Sequence, residues 1–282
     1  MNNSETGAIK RSRGRPRTQN SNMAGSTVQA LDRGLMLLVA LTREGSVTLT
    51  DIAMKVGMPP SSAHRVLITL QKHGFVEFDE ASQEWAIGIE AFRVGNSYLE
   101  RTNLVEMAQP IMRDLMENTG ETANLAIGSE GQVVFVSQVE THNPIRAFFR
   151  PGTRGHMHAS GIGKALLADM SRPEVEKILQ KTGLPEFTSK TLVSPDALFA
   201  DLKKTAVRRW SFDDEERYMG MRCVAASIYN SSGKAVAGIS VSGPTIRFSD
   251  VDVEEIGPRV RRSADEITIM TGGKVPAESV GF

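Results

Sequence analysis

The block His158-Ala159-Ser160-Gly161-Ile162-Gly163-Lys164-Ala165 has the outline of a phosphate-binding loop. That motif needs glycine at 158 and serine or threonine at 165, and this chain has His158 and Ala165, so the motif fails. What remains is a small-residue loop entering a helix. Free backbone amides there can hold a carboxylate, or the loop can simply pack tightly under its helix; the residues alone leave both readings open. Ser240 and Ser242 lie two apart in an apolar run, so on a strand they face the same side. Cys223, on a neighbouring strand, can point the same way. Small polar side chains converging beside a helix N-terminus suit a short oxo acid or aldehyde. The acidic run Asp213-Asp214-Glu215-Glu216, taken alone, reads as a solvated loop.

Two other chemistries compete for these residues. His156-x-His158 with Cys223 would give three metal ligands, at a spacing common by chance. Cys223 with a histidine would make a nucleophile, although a lone cysteine in an apolar strand reads more simply as core. Nothing calls for a cofactor.

A different chemistry sits near the N-terminus. Lys10-Arg11-Ser12-Arg13-Gly14-Arg15-Pro16-Arg17 carries five positive charges and no negative one. A basic run is often only a solubilising tail. Arg13-Gly14-Arg15-Pro16 is more specific, because its extended backbone suits the narrow minor groove of A·T-rich DNA, where arginine meets enhanced negative potential. It resembles the core of an AT-hook. Between Pro59 and His73 stand His64, Arg65, Lys72 and His73 without an acidic residue. Residues 26–88 as a whole have five Lys/Arg against seven Asp/Glu. Positive charge is thus confined to the arm and one segment, the distribution a DNA-facing surface needs.

These residues need elements to hold them. Ser26-Thr27 is a plausible cap for a helix whose apolar stripe is Leu31, Leu35, Leu38 and Leu41, stopped by Gly45. Thr48 and Asp51 form a capping-box variant opening a second helix over 48–56, and Gly57 makes the turn. Pro59-Pro60 suits the first turn of a third helix, with Ala63, Val66, Leu67 and Leu70 as its apolar stripe and Ser61, Ser62, Arg65 and Thr69 off it. Two short strands, 75–78 and 84–87, bracket a polar turn. Three short helices and a hairpin are the order of a winged helix-turn-helix, whose second helix of the pair enters the major groove. A small protein-binding helical domain would be the competing reading.

Residues 89–120 are helical in pattern, with a break near 101–103. From Glu121 the pattern turns β-rich, at 124–127, 132–139 and 145–149, with a hairpin turn at 128–131. Helices follow at 163–170, 173–182 and 195–207, strands at 223–229 and 235–241, and a closing helix at 253–271. The fold class is therefore α+β, around an antiparallel sheet. The expected organisation is a disordered basic arm (1–25), a winged helix-turn-helix domain (26–88), a linker helix (89–106), an α+β domain (107–272) and a tail (273–282).

The chain has 282 residues, enough for two domains, and 33 basic residues balance 33 acidic ones, so no global field points to a partner. One cysteine permits no internal disulfide, and a reducing cytoplasm is expected. No segment is apolar for the ~20 residues a membrane span needs, and the polar, basic start is unlike a signal peptide.

Three blocks carry a resemblance: Leu31-Asp32-Arg33-Gly34-Leu35; Pro59-Pro60-Ser61-Ser62-Ala63-His64-Arg65-Val66-Leu67; and His158-Ala159-Ser160-Gly161-x-Gly163-Lys164-Ala165 with Glu215-Glu216 ahead of Gly220-Met221-Arg222-Cys223-Val224-Ala225. Over about residues 26–272 the chain resembles the IclR family of bacterial transcriptional regulators, closest to the branches responsive to glyoxylate and to lactones or semialdehydes. The resemblance implies a GAF-like effector domain, homodimers that often pair into tetramers, and a palindromic operator. It implies DNA contacts from Ser61, Ser62, His64 and Arg65, with Arg13 and Arg15 in the arm. It implies a carboxylate held by the backbone at Gly161 and Ile162, with Asp213, Met221, Cys223, Ser240 and Ser242 as the other effector contacts. Ile162 stands where relatives often carry a smaller residue, which bears on pocket volume. The expected function is repression of a catabolic operon relieved by a small carboxylate, aldehyde or lactone-derived effector. Activation by a member of the same family and a Cys223-dependent enzyme are the alternatives.

Overall fold

The computed structural model describes residues 28–100 and 103–277. Arg13 and Arg15 of the basic arm and the Ser26-Thr27 cap lie outside them. The described residues divide into two compact units, one up to Asn96 and one from Ser97 onward.

The first unit contains α1 (Gln29–Glu44), β1 (Ser46–Thr48), α2 (Leu49–Lys55), α3 (Pro60–Lys72), β2 (Val76–Asp79) and β3 (Glu84–Ile87). Helix α1 buries Gly34, Leu37 and Leu41, while Leu31 and Leu35 are exposed. The expected stripe through Leu31 and Leu35 is therefore corrected: the inward face runs through Gly34, Leu37 and Leu41, and α3 packs beside it at Val66, which a Cβ on Gly34 would meet at an ordinary 3.8 Å. Thr48 ends β1 and caps α2. Its Oγ1 accepts from the Asp51 amide at 3.3 Å and donates to Asp51 Oδ2 at 2.8 Å. Gly57, at φ 63°, turns the chain, and Pro59 in extended conformation precedes Pro60 at the first helical position of α3. Strand β1 was not legible as a strand. It pairs with β3, so the wing is a three-stranded antiparallel sheet in the order β1-β3-β2. Trp85 of β3 is buried against Phe78, and Leu37, Leu41, Ile52, Ala63 and Leu67 complete the core beneath the helices.

Helix α4 (Ile89–Glu100) follows the wing, and α5 (Leu104–Thr119) opens the described part of the second unit beyond it. Then come β4 (Thr122–Ser129), β5 (Gln132–Val139), β6 (Arg154–His156), α6 (Gly161–Ala168), α7 (Arg172–Thr182), α8 (Pro195–Arg208), β7 (Ser211–Asp214), β8 (Met221–Tyr229), β9 (Ala235–Pro244) and α9 (Asp250–Met270). The six strands form one antiparallel sheet, ordered β6-β5-β4-β9-β8-β7. Alternation along the strands sorts the side chains. Val224, Ala226 and Ile228 of β8 and Ile239 and Val241 of β9 pack with α5 and α9. The other face carries α6, α7 and α8, through Leu166, Val175, Leu198 and Leu202. Cys223, Ser240 and Ser242 belong to that second face by the same alternation. This is the α+β architecture expected.

Two local expectations are corrected. Residues 145–149 form no strand, and two of their backbone groups are bonded to side chains. Arg247 donates to the Ile145 carbonyl at 2.7 Å, and the Phe149 amide donates to Gln138 Oε1 at 3.5 Å. The acidic run is not a solvated loop. Asp213 and Asp214 end β7, and Asp213 and Glu216 are buried. Among the described residues no helix is long and apolar enough to cross a membrane.

Candidate functional site

On the α6 face of the sheet lies a cavity of about 50 Å3. One water needs ~10–15 Å3 of such space, so it admits a ligand of only a few non-hydrogen atoms. The sequence-derived residues Gly161, Ile162, Asp213, Cys223, Ser240 and Ser242 all line it. Met221 does not: it is the first residue of β8, opposite Pro244, and the wall stops two residues further on at Cys223.

The floor is built by strand register. Cys223 pairs with Ser242, and Ser240 with both Ala225 and Asn124. Asn124 Nδ2 donates to Ser242 at 3.2 Å and reaches Ser240 at 3.5 Å, while its Oδ1 accepts from Gln138 at 2.7 Å. Gln138 in turn accepts from the Phe149 amide, so a hydrogen-bonded chain runs from the serines to the segment before β6. Above the floor, α6 starts at Gly161. Ser160 caps it, its hydroxyl accepting from the Gly163 amide at 3.4 Å and its carbonyl from the Lys164 amide at 2.8 Å, so the first-turn N–H groups without intrahelical partners are those of Gly161 and Ile162. Ser211 of β7 donates to the Gly161 carbonyl at 2.6 Å and holds the turn in place. A Cβ on Gly161 would lie 2.7 Å from Cys223 Sγ, so glycine is required for the helix to approach the strand this closely.

Burial pushes the Cys223 thiol up to about 12, and the Asp213 carboxylate adds to the effect against hydrogen bonds from Ser242 and Ser240. At neutral pH it is a thiol, a weak donor and a poor nucleophile. Behind the wall Lys164 is fully buried, with Nζ 2.5 Å from Glu216 Oε1, 3.1 Å from Asp201 Oδ2 and bonded to the Phe212 carbonyl. Burial raises Asp213 above the ordinary carboxylate range despite Lys164. Burial, Asp213 and Asp201 likewise raise Glu216 to about 8, against Lys164.

Sequence reasoning missed the rest of the wall: Phe135, Phe149, Thr153, Arg154, Arg217 and Tyr218. Phe135 and Phe149 stack with centroids 4.5 Å apart. No spacing signal joins these residues, because they come from two strands, β5 and β6, and two loops, one before β6 and one between β7 and β8. His156 and His158 lie edge to face at 5.7 Å beside Phe187, and His158 Nε2 is 3.1 Å from the Pro185 carbonyl. Among the described residues no three of His, Cys, Asp and Glu gather as metal ligands.

In the first unit, Ser61, His64 and Arg65 are exposed on α3, and Ser62 is half-buried. They share one solvent-facing side with Lys72, and no acidic residue of α3 opposes them.

Comparison with known proteins fits both units. The family model described as IclR helix-turn-helix domain matches residues 30–80, and that described as bacterial transcriptional regulator IclR C-terminal matches residues 96–269. The chain is 45% identical to the HTH-type transcriptional regulator BhcR of Paracoccus denitrificans (strain Pd 1222), over 96% of this chain and 97% of that protein. It is 42% identical to the transcriptional repressor IclR of Escherichia coli (strain K12), over 94% of this chain and 98% of that one. The crystal structure of Thermotoga maritima IclR superposes with a TM-score of 0.69 at 28% identity, covering 86% of this chain and 98% of that one. Regulators of this kind bind operator DNA and small-molecule effectors. The two matched models, with relatives aligned along nearly the whole chain, show that this protein belongs to the IclR family of bacterial transcriptional regulators.

Proposed function

We propose that the protein is a repressor of a catabolic operon, released from its operator by a short oxo acid or related carbonyl compound bound in the cavity at the N-terminus of α6. The observation that carries the reading is the convergence of Gly161, Ile162, Asp213, Cys223, Ser240 and Ser242 on one small cavity. The amides of the first turn of α6 suit a carboxylate, since the helix dipole and the unpaired N–H groups favour negative charge there. Ser240, Ser242 and the Cys223 thiol suit the carbonyl or its hydrate. Two relatives, of Escherichia coli and Salmonella typhimurium, are named repressors, the second of an acetate operon, which supports repression over activation.

On the DNA side, Ser61, Ser62, His64 and Arg65 contact operator bases or phosphates, and Arg13 and Arg15 reach an adjacent minor groove. A homodimer would present two α3 helices to a palindromic site. The exposed apolar side chains Leu31, Leu35 and Val39 of α1 and Phe92 and Val94 of α4 support association. Effector binding would shift the balance between arrangements of the paired DNA-binding units and so lower operator affinity.

The test is calorimetry of the full chain with glyoxylate, pyruvate and succinic semialdehyde, alongside a gel shift with DNA from its own promoter. Binding of at least one acid, together with retardation of the promoter DNA, is the expected result. Retardation without binding of any of the three acids would overturn the effector assignment.

A further inference from the structure

The amides at the start of α6 carry only partial charge, about half an elementary charge for a whole helix. They favour a carboxylate over the carbonyl of an ester, amide or lactone, but only modestly. Something else on the wall has to tell an acid from its neutral counterpart. Arg217 stands in the loop between β7 and β8 and lines the cavity. Its guanidinium lies 3.7 Å from the centroid of the Phe187 ring, and Tyr218 is at 5.6 Å. Stacking fixes the plane of the group and leaves its N–H edge free to donate. One of its nitrogens, Nη1, is buried without a hydrogen-bond partner.

Among the described residues Arg217 makes no ion pair, whereas Lys164, Arg222, Arg247 and Arg261 each face a carboxylate. Its charge is felt nearby, adding to burial in holding His156 and His158 below their usual range. Asp213 is the acidic residue on the wall, and its Oδ1 already accepts from the Glu216 amide at 2.8 Å. Two arginines, Arg154 and Arg217, against that one carboxylate leave the wall with an excess of one positive charge. Arg154 is exposed and bonded to Gln132, so Arg217 is the cation available to a ligand.

We infer that Arg217 is the specificity-determining residue of the cavity: its unmet guanidinium N–H donates to the effector's anionic group, so the site selects organic acids over neutral molecules of the same shape. This rests on the cavity being the effector site.

The test uses the full chain with paired probes, pyruvate against pyruvamide and glyoxylate against glycolaldehyde, in the wild type, Arg217→Gln and Arg217→Lys. The wild type is expected to bind the acid about ten- to a hundredfold more tightly than the neutral partner, the range of a charge-assisted hydrogen bond. In Arg217→Gln the ratio should collapse to within about threefold through loss of acid affinity alone, with the weakening of acid binding by added salt lost as well. Arg217→Lys should keep most of the preference. Equal wild-type binding of acid and neutral partner would overturn the role of Arg217 and leave the cavity reading intact, as would an unchanged ratio in Arg217→Gln. Binding of none of the probes by the wild type would overturn the cavity reading and this inference with it.

Discussion

Gly161 and Cys223 leave no room for a methyl group between them: a Cβ on the glycine would sit 2.7 Å from the thiol sulfur and 3.3 Å from Ala225 Cβ. The helix that offers its amides and the strand that offers its thiol are set by this one approach. Gly161→Ala should therefore cost about 1–3 kcal/mol of stability, the usual range for overpacking, and should abolish effector binding. Adding Cys223→Ala removes the sulfur, and the double variant should recover most of the lost stability, a non-additivity that urea unfolding reads directly. A single variant as stable as the wild type would mean that the wall yields.

The floor depends on Asn124 as much as on the serines. Ser242→Ala leaves one Asn124 amide hydrogen without its acceptor and deletes a hydroxyl from the cavity. Effector affinity should fall by about five- to thirtyfold, in line with ~1–2 kcal/mol for a lost hydrogen bond. Ser240→Ala should behave alike. If calorimetry finds both variants binding a confirmed effector as the wild type does, the serines serve only the sheet.

Three carboxylates, Asp201, Asp213 and Glu216, surround the single ammonium of Lys164, and they cannot all be ionised cheaply. Glu216, raised to about 8 first by burial, holds its proton in the folded state over a range where the unfolded chain, with a glutamate near ~4.3, has lost it. Its contribution to stability is full below ~4.3 and is lost as pH rises through about 8. His156 and His158, both held below the ordinary histidine range by burial, lose their protons ahead of Glu216. Between pH ~7 and ~9 the wild type should lose stability faster than Glu216→Gln, by at most about 1.4 kcal/mol per unit. Parallel pH profiles for the two proteins would contradict this assignment. The comparison also cancels Cys223, whose raised thiol has the same sign.

Arg65 is exposed on α3 and has no structural duty there beyond helix propensity. Arg65→Ala should leave the unfolding midpoint unchanged and weaken operator binding by about 1–3 kcal/mol if it reads a base. Replacing Arg13 and Arg15 with alanine should weaken binding more uniformly across sequences and flatten its salt dependence. Unchanged operator affinity in Arg65→Ala at fixed salt would remove α3 from the interface.

Much of this fold was legible because it rests on local rules. Thr48 with Asp51, Gly57 and Pro60 mark the helix-turn-helix boundaries by capping and turn chemistry. The spacing of Ser240 and Ser242 gives their common face by strand alternation alone. What was not legible depends on partners far away in sequence. Leucines surround α1, and only packing against Ile52, Ala63, Leu67 and Trp85 decides that Leu37 and Leu41, not Leu31 and Leu35, turn inward. The acidic run at 213–216 looks solvated until Lys164, some fifty residues earlier, is found buried against it. Residues 145–149 are β-rich in composition, yet Arg247 takes a carbonyl that a neighbouring strand would need. Arg217 and the aromatic wall carry no periodic signal, so tertiary structure was needed to bring them to the cavity.

The most direct test is fluorescence anisotropy of promoter DNA bound by the full chain, titrated with glyoxylate or pyruvate, in the wild type and in Ser240→Ala/Ser242→Ala. The account predicts that one of these acids releases DNA from the wild type, and that the double variant binds DNA as tightly but needs a much higher concentration of the acid for release. Release at the same concentration in both proteins would place the controlling site elsewhere than the cavity at Gly161.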